Sequence, residues 1–491
     1  MTEADLRFGT NAGRWVLVAT VLGSGLAALD ATVVNIALPT IGRDFNAGLS
    51  SLQWVINAYT LTLAGFLLLG GALGDRYGRR RVFLTGVAWF AGASLLCSAA
   101  PNSEMLIAAR ALQGVGAALL TPGSLAILEA SFASDDRAAA IGAWSGLGGV
   151  MTAIGPFLGG WLVESASWRW IFLINLPFAA IVLWVGLRHV PETLNESAPP
   201  GLDLAGAALT VAGLAGLIAG LTAGPEQGWT APVVLITLIG GIICLGAFIA
   251  VEQRSQHPLV PLAIFKAKQF TSANLVTFVV YAALTGAFFL LPIQLQTVAG
   301  FSPIASGAAL LPITIIMLLG SARAGRLATR IGPRIPMSVG PVIAGLGLVL
   351  MTRIGSGASY WTDVLPGVIV FGCGLSLTVA PLTATVLGAA PQQFAGVASA
   401  VNNDVARTAG LLAIAVLPPL AGITNADFGN PATFSDGFHA AMLIAGVTLM
   451  AGGVLAWLTI RRPLHADEDS VPTSHCALDA PPLRVERAKV A

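Results

Sequence analysis

Long apolar runs occupy most of this chain, and each is long enough to cross a lipid bilayer as a helix. A bilayer core about 30 Å thick needs roughly 20 apolar residues at 1.5 Å of rise per residue. Only 10% of the 491 residues are charged, whereas a soluble domain carries about 25%. We therefore predict an all-α polytopic membrane protein with fourteen spans, near residues 15–38, 51–73, 82–100, 105–129, 138–162, 169–188, 204–224, 231–251, 270–298, 304–324, 335–353, 361–387, 395–421 and 437–460.

The basic residues lie almost entirely on one side of these spans. If the N-terminus is inside, twenty Lys and Arg residues fall on the inner side and only Arg43, Arg169 and Arg353 on the outer side. Cytoplasmic loops retain Lys and Arg, so both termini are expected in the cytoplasm. The first run is longer than the apolar region of a signal peptide, and we expect it to be a retained span.

Composition also argues against several classes of protein. A formal net charge of +1, with the basic residues in short loops, gives no reason to expect a nucleic-acid partner. The four cysteines form no CxxC pair and the five histidines show no ligand spacing, so we expect neither a metal site nor a disulfide framework. The sequence has no GxxxxGK[ST] loop for a nucleotide, and no cofactor is expected.

A repeated loop indicates how the spans are organised. Residues 71–80 and 325–334 share Gly, Leu, a small residue, Arg, Gly and Arg at the same spacing. If these loops correspond, spans 1 to 6 correspond to spans 9 to 14, and spans 7 and 8 are an insertion. We predict a six-helix bundle over 1–190, two inserted helices with cytoplasmic linkers over 191–268, a second bundle over 269–462 and a disordered cytoplasmic tail over 463–491. Such internal repeats are typical of secondary transporters.

Two charged residues within spans are candidates for proton coupling. Asp30 and Arg110 are predicted roughly 6 Å and 10 Å outside the midplane, so at similar depth. A central acid costs on the order of 2.5–3.5 kcal/mol on insertion scales and should face a cavity or a partner. Asp30 could take and release a proton, while Arg110 stays charged. The alternatives are a structural hydrogen-bond acceptor at Asp30 and an Arg110 side chain that extends to the membrane interface.

A second set of polar residues is expected to line a substrate cavity, because polar groups inside a membrane need water or protein around them. Asp404 and Arg407 are three residues apart and share a helix face, so they could instead neutralise each other. The full predicted set is Asn35, Gln53, Tyr59, Gln113, Gln294, Gln296, Asn403, Asp404 and Arg407.

The first copy of the repeated loop is a candidate conformational latch on the cytoplasmic side. Its glycines permit tight chain reversal. Arg79 could pair with an acid at the inner end of span 4, namely Glu129, Asp135 or Asp136, with Glu129 preferred, and separate on inward opening. The alternative is that the basic residues only set topology. The predicted latch residues are Gly71, Asp75, Arg76, Gly78, Arg79 and Glu129.

Span 5 contains a stripe of small residues that predicts close helix packing. The stripe includes Gly155, Pro156, Gly159 and Gly160. Small residues at helical spacing let two backbones approach closely, and a proline adds a bend.

Together these elements resemble the major facilitator superfamily, in particular its fourteen-helix drug:proton antiporter branch. Residues 71–80 look like motif A, 110–114 like motif B, 155–160 like motif C, and 29–39 like the span 1 motif of the branch. The resemblance implies alternating access between two six-helix bundles, with the proton-transfer role of motif B at Arg110. In the second loop Thr329 and Pro333 replace the Asp and Arg of motif A, so a symmetric latch is not implied.

The resemblance leads us to expect a proton-coupled antiporter in a bacterial cytoplasmic membrane that exports hydrophobic or amphiphilic small molecules as a monomer. No acid occurs between Ile304 and Ser321, where some multidrug members carry one, which argues against strongly cationic substrates. Two alternatives stay open: a dedicated exporter of one metabolite, antibiotic or lipid, and a receptor or scaffold with the same fold that transports nothing.

Overall fold

The computed structural model describes residues 6–195, 201–255, 258–390 and 395–461, and almost all of them are helical. Fourteen long helices occur in these ranges. They are α1 Asn11–Phe45, α2 Leu49–Tyr77, α3 Arg79–Ser98, α4 Ser103–Ser131, α5 Ser134–Ser165, α6 Trp170–His189, α7 Leu204–Gln227, α8 Pro232–Arg254, α9 Lys268–Val298, α10 Pro303–Ile331, α11 Arg334–Met351, α12 Tyr360–Ala389, α13 Ala395–Leu420 and α14 Pro431–Thr459. The tail predicted at 463–491 lies outside the described ranges.

Thirteen of these helices are long and apolar enough to cross a membrane, and α13 is the exception. Helix α13 is 26 residues long and carries Asp404 and Arg407, which lower its hydropathy. The predicted fourteen spans are compatible with this set. Two helices contain a π-helical turn, at Gln294–Val298 in α9 and Tyr360–Val364 in α12.

Contacts between helix ends define two faces of the protein. Gln269, at the start of α9, hydrogen-bonds with the backbone of Arg461, just beyond the end of α14. The backbone N–H of Leu6, just before α1, donates to the carbonyl of Ser131 at the end of α4, at 3.0 Å. Odd helices therefore start, and even helices end, on one face. We call this the terminal face and the opposite one the far face.

The two sets of six helices are in contact near the far face. The largest cluster of buried apolar residues includes Ile36 and Leu52 from the first set and Phe289 and Phe438 from the second. Across the same region, the Gln296 side chain of α9 donates to the carbonyl of Ile36 at 2.9 Å. The π-turn at the end of α9 carries this glutamine.

The small-residue stripe of α5 lies at this far-face contact. A Cβ atom on Gly160 would overlap the carbonyl oxygen of Pro303, and one on Gly307 would overlap the carbonyl oxygen of Pro156. Nearer the terminal face, a Cβ on Gly142 or Gly146 of the same helix would meet nothing within 4 Å. Helix α5 is therefore tightly packed against α10 near the far face and open near the terminal face.

The stripe also packs α5 onto its own bundle. A Cβ on Gly155 would overlap the hydroxyl of Thr32, and one on Gly159 would lie 2.9 Å from a methyl carbon of Val33. Both partners are on α1. The same stripe thus brings α5 close to α1 within the first set and to α10 across the two sets.

The inserted helix α7 lies where α2 meets α13. Leu61, Leu214 and Leu411, one from each of these three helices, belong to one apolar cluster. At the far-face end of α7, Glu226 accepts a hydrogen bond from the Asn425 side chain. Asn425 also bonds with the backbone N–H of Ser50 at 3.0 Å and with its hydroxyl. The insertion therefore contacts both sets of helices.

Gly160→Ala is expected to disfavour the closed far face, because the added methyl group collides with the Pro303 carbonyl. Overpacking of this kind costs about 1–3 kcal/mol, which shifts a two-state equilibrium roughly 5- to 150-fold. Spin labels at Glu104→Cys and Thr433→Cys, two exposed far-face positions on opposite sets, would report a larger fraction of long distances.

Gly142→Ala is the matched control, because it makes the same change in the same helix where a Cβ meets open space. It should leave the distance distribution unchanged. Identical distributions for the two variants would contradict the steric argument.

Candidate functional site

A buried polar network surrounds Asp30 inside the first set of helices. Asp30 on α1 and Arg110 on α4 are each only 1% exposed. The Arg110 Nη1 atom donates to Asp30 Oδ2 and forms an ion pair with it. Two amide groups donate to the other carboxylate oxygen, Gln113 Nε2 at 2.8 Å and Asn175 Nδ2 at 3.2 Å. One carboxylate thus accepts three hydrogen bonds from α4 and α6.

The rest of the network fixes the Arg110 guanidinium group. Its Nε atom donates to the carbonyl of Val55 at 3.1 Å, and Nη1 also donates to Gln113 Oε1 at 2.6 Å. Arg110 and Gln113 are three residues apart, so they lie on one face of α4. The guanidinium carbon lies 4.2 Å from the centre of the Tyr59 ring. This arrangement requires α4 to lie close to α2, and a Cβ on Gly114 would overlap the Tyr59 carbonyl.

Ser94 on α3 completes the network. Its hydroxyl oxygen accepts from Gln113 Nε2 at 2.8 Å and from Asn175 Nδ2 at 3.2 Å. Sequence reasoning missed both Ser94 and Asn175. Asn175 could have been found, because a polar residue within an apolar run needs a partner. The serine had no such signal, because Ser and Thr are common in membrane helices.

The network has a simple chemical property. A guanidinium group contains only hydrogen-bond donors, whereas a protonated carboxyl group carries a donor on one oxygen. A proton on Asp30 would remove the negative charge that attracts the guanidinium group, so the contact with Arg110 would weaken. The geometry therefore links a proton on Asp30 to the position of Arg110.

A central cavity of about 270 Å³ lies next to this network. Its walls come from α1, α2, α4 and α5, with Arg407 of α13 on the other side. The polar side chains that line it are Ser24, Tyr59, Thr121, Trp144, Ser145, Thr152 and Arg407. Tyr59 is shared, because its ring stacks on Arg110 and also lines the cavity.

Two of the residues predicted for a substrate cavity line this one, namely Tyr59 and Arg407. Gln113 belongs to the Asp30 network. Asn403 is exposed, and its side chain donates to the Ser399 carbonyl of its own helix at 3.0 Å.

The other predicted cavity glutamines and Asn35 donate to backbone carbonyls elsewhere. Gln53 bonds to Ile414 across the two sets at 2.6 Å, Gln294 to Ile354 at 2.7 Å, Gln296 to Ile36 at 2.9 Å, and Asn35 to Ala31 at 3.2 Å. A role for these residues in substrate binding stays a prediction.

Asp404 and Arg407 share a face of α13 but are not in direct contact. In the described ranges, no ion pair within 4.0 Å involves either residue. Asp404 Oδ1 and Arg407 Nε are both buried atoms without a hydrogen-bond partner in this part of the chain. The arrangement differs from a mutually neutralised pair.

The predicted latch loop forms the turn between α2 and α3. Gly78 has φ of 110°, a left-handed conformation that glycine adopts without strain. Arg79 pairs with Asp75 at 2.8 Å and donates to the Ala126 carbonyl of α4 at 3.3 Å. In the described ranges it forms no ion pair with Glu129, so that pair stays a prediction.

The remaining latch residues also lie at this turn. The Arg76 guanidinium carbon is 5.4 Å from the Tyr77 ring centre, and a Cβ on Gly71 would lie 3.7 Å from Cβ of Pro122. Glu192, which sequence reasoning missed, follows α6 and accepts from the backbone N–H of Arg80 at 3.1 Å. An acid at the start of α3 is favourable, because free N–H groups and the helix dipole concentrate positive charge there.

The sequence profile of the Major Facilitator Superfamily matches residues 20–413. The chain belongs to this superfamily. It is 37% identical over 468 residues to the puromycin resistance protein pur8 of Streptomyces alboniger, which covers 92% of this chain and 93% of that protein. It is 34% identical over 401 residues to the tetracenomycin C resistance and export protein of Streptomyces glaucescens. This match covers 82% of this chain and 74% of that protein.

Solved structures of transporters have the same fold. A POT family transporter in complex with 5-aminolevulinic acid superimposes with a TM-score of 0.69 at 14% identity, covering 93% of this chain and 97% of that one. The predicted superfamily and the all-α fold are therefore confirmed. The protein is a multi-pass membrane transporter and not an enzyme.

Arg110→Gln is expected to destabilise the protein, because it leaves Asp30 as a buried charge without its cation. Removing one partner of a buried pair costs about 3–5 kcal/mol. Adding Asp30→Asn should recover at least half of the loss, since neither charge then remains. The measurement is the midpoint of thermal unfolding in detergent.

Arg353→Gln is the control, because Arg353 is exposed on the far face. It should leave the midpoint unchanged. A double variant no more stable than Arg110→Gln alone would contradict the pairing argument.

Proposed function

We propose that this transporter is a proton-coupled antiporter that exports hydrophobic or amphiphilic small molecules, such as drugs, dyes and antibiotics, from a bacterial cell. The observation that carries the proposal is the buried Asp30–Arg110 pair, because the Tyr59 ring that stacks on Arg110 also lines the central cavity. The names of the relatives, which refer to antibiotic resistance and export, support the substrate class.

The terminal face is the cytoplasmic face in this proposal. Basic residues support it, because the turns on this face carry Arg76, Arg79, Arg80 and Arg81 after α2 and Arg330 at the end of α10, and cytoplasmic loops retain such residues. With the far-face contacts closed and α5 open near the terminal face, the arrangement is inward-facing. Substrate would enter the cavity from the cytoplasm or the inner leaflet.

The coupling step follows from the hydrogen-bond chemistry of Asp30. With the far face open, a proton from outside binds Asp30, removes its negative charge and weakens its contact with Arg110. After the change to the inward-facing arrangement, the proton leaves and the ion pair forms again as observed. Arg110 shifts against Tyr59 in each step, so the proton alters the cavity wall. The transporter would thus carry a proton inward and a substrate outward in alternate steps. The proton is the coupling ion, and we expect no cofactor.

A dedicated exporter of one compound is the second candidate. The observation in its favour is that the two relatives named above each carry the name of a single antibiotic. Competition by a panel of unrelated compounds against one transported antibiotic separates the candidates. In a dedicated exporter, the panel should not reduce export of that antibiotic. In both cases we expect a monomer in the lipid bilayer.

Asp30→Asn is expected to abolish uphill export, because the amide cannot exchange a proton. Membrane abundance should stay near normal, because the amide keeps the shape of the carboxylate and Arg110 retains acceptors at Val55 and Gln113. The measurement is export of the neutral dye Nile red and of tetracenomycin C, the antibiotic named for a relative, in proteoliposomes with an imposed pH gradient. Wild-type export should fall at least tenfold when a protonophore collapses the gradient, and the variant should match that residual rate.

Glu104→Gln, an exposed acid on α4, is the control and should behave as the wild type. Uphill export by Asp30→Asn, or wild-type export that ignores the protonophore, would overturn the coupling proposal.

Arg79→Ala is expected to reduce transport several-fold while the monodisperse yield changes less than twofold. The Arg79–Asp75 pair is partly exposed, and such pairs contribute only about 0–1 kcal/mol to folding. The turn would instead bias the balance between inward- and outward-facing states.

Arg81→Ala removes the same charge from the same turn, but Arg81 is largely exposed. It should retain transport. Equal losses in the two variants would favour a role in topology alone.

A further inference from the structure

Two residues that line the central cavity carry buried hydrogen-bond donors without protein partners in the described ranges. Arg407 Nε and Trp144 Nε1 are buried atoms without a hydrogen-bond partner in the described ranges. Both residues line the cavity, from α13 and α5 respectively. The two donors therefore belong to opposite sets of helices and lie at the same cavity.

Such donors favour a particular kind of ligand. A buried donor left unpaired costs about as much as its desolvation, and a charged donor costs more. Water can occupy the cavity in the inward-facing arrangement, but a bound molecule displaces it. A ligand with an acceptor that reaches these donors would satisfy them, whereas a ligand without one would leave both unpaired. Sites built around hydrogen-bonding groups reject analogues that cannot pair with them.

The charge of the cavity lining points the same way. Among the lining residues in the described part of the chain, Arg407 carries the only full charge. Asp404 lies three residues earlier on α13 but does not line the cavity. An ammonium group in the cavity would meet a cation of like charge without a lining carboxylate to pair with. A carboxylate would meet a guanidinium group that can bind it through two parallel hydrogen bonds.

We infer that the cavity selects aromatic amphiphiles that carry an anionic oxygen group, a carboxylate or a phenolate, over aromatic amines of the same shape. The oxygen atoms accept from Arg407 and Trp144, and the aromatic part packs between Tyr59 and the alanines of α1 that line the cavity. The cavity volume of about 270 Å³ suits a bicyclic aromatic group. This inference rests on the proposed function, because it names the substrate class of the same site.

Two probes of matched shape test the inference, 2-naphthylacetate and 2-(2-naphthyl)ethylamine. Binding to the full-length protein in nanodiscs is measured by equilibrium dialysis, with empty nanodiscs to correct for partition into lipid. The wild type should bind the acid at least tenfold more tightly than the amine. A wild type that binds the amine as tightly, or binds neither probe, overturns the inference.

Arg407→Gln should weaken binding of the acid roughly 10- to 100-fold, the range for a hydrogen bond to a charged group, without weakening binding of the amine. Arg353→Gln, at the exposed far-face arginine, should leave both affinities unchanged. Equal weakening of both probes by Arg407→Gln would overturn the inference, because it would indicate damage to the cavity and no selection by charge.

Trp144→Phe gives an independent result, because it removes the N–H donor and keeps an aromatic ring. It should weaken binding of the acid about fivefold. Trp89→Phe is its control, since Trp89 Nε1 already donates to the Leu112 carbonyl at 2.8 Å and does not line the cavity. If Trp144→Phe binds the acid as the wild type does, the assignment of Trp144 is wrong.

Transport measurements separate failure of this inference from failure of the proposed function. Gradient-driven export of Nile red without preference for the acid in binding would overturn the inference and leave the antiporter proposal standing. Selective binding of the acid, without gradient-driven export of any compound, would overturn the antiporter proposal and leave the inference about the cavity standing.

Discussion

The buried ion pair between Asp30 and Arg110 is the interaction around which the first six helices are arranged. Two charges removed from water destabilise a protein by several kcal/mol each unless their hydrogen bonds are satisfied. Here α1 supplies the acid and α4 the cation, while Gln113, Ser94 and Asn175 complete the set. Four helices must therefore keep their relative positions for one carboxylate to remain paired.

Close packing of backbones makes this pair possible. Gly114 lets α4 approach α2 until Arg110 reaches the Val55 carbonyl and stacks on Tyr59. Because Tyr59 also lines the cavity, a change at the ion pair is passed to the cavity wall through one ring. Gly114 permits this approach because it has no side chain. The same is true of Gly160 in the α5 stripe, which lies against α10.

The contacts between the two sets of helices differ in kind from those inside the first set. At the far face they are single side-chain bonds to carbonyls, such as Gln53 to Ile414 and Gln296 to Ile36, together with the apolar cluster that spans both sets. Such bonds contribute about 1 kcal/mol each and can break one at a time. The inserted helix α7 contacts both sets through Glu226 and Asn425, so a rocking motion must change its contacts too.

Much of the architecture could be predicted from the sequence. The length of the apolar runs predicted the membrane helices, because a bilayer requires about 20 apolar residues per crossing. Motifs in the right order predicted the superfamily. Charged residues are rare inside a membrane, and this rarity drew attention to Asp30 and Arg110, as it did to Asp404 and Arg407. These conclusions depend on local composition and spacing, which a sequence contains directly.

Only the tertiary structure decided which polar groups meet. Spacing along a helix predicted that Asp404 and Arg407 share a face, yet the structure shows no direct contact between them and directs Arg407 to the cavity. Gln113 lies in the Asp30 network, and Ser94 and Asn175 join it from helices distant in sequence. Side-chain partners depend on how helices rotate and approach, and no periodicity along one helix determines that.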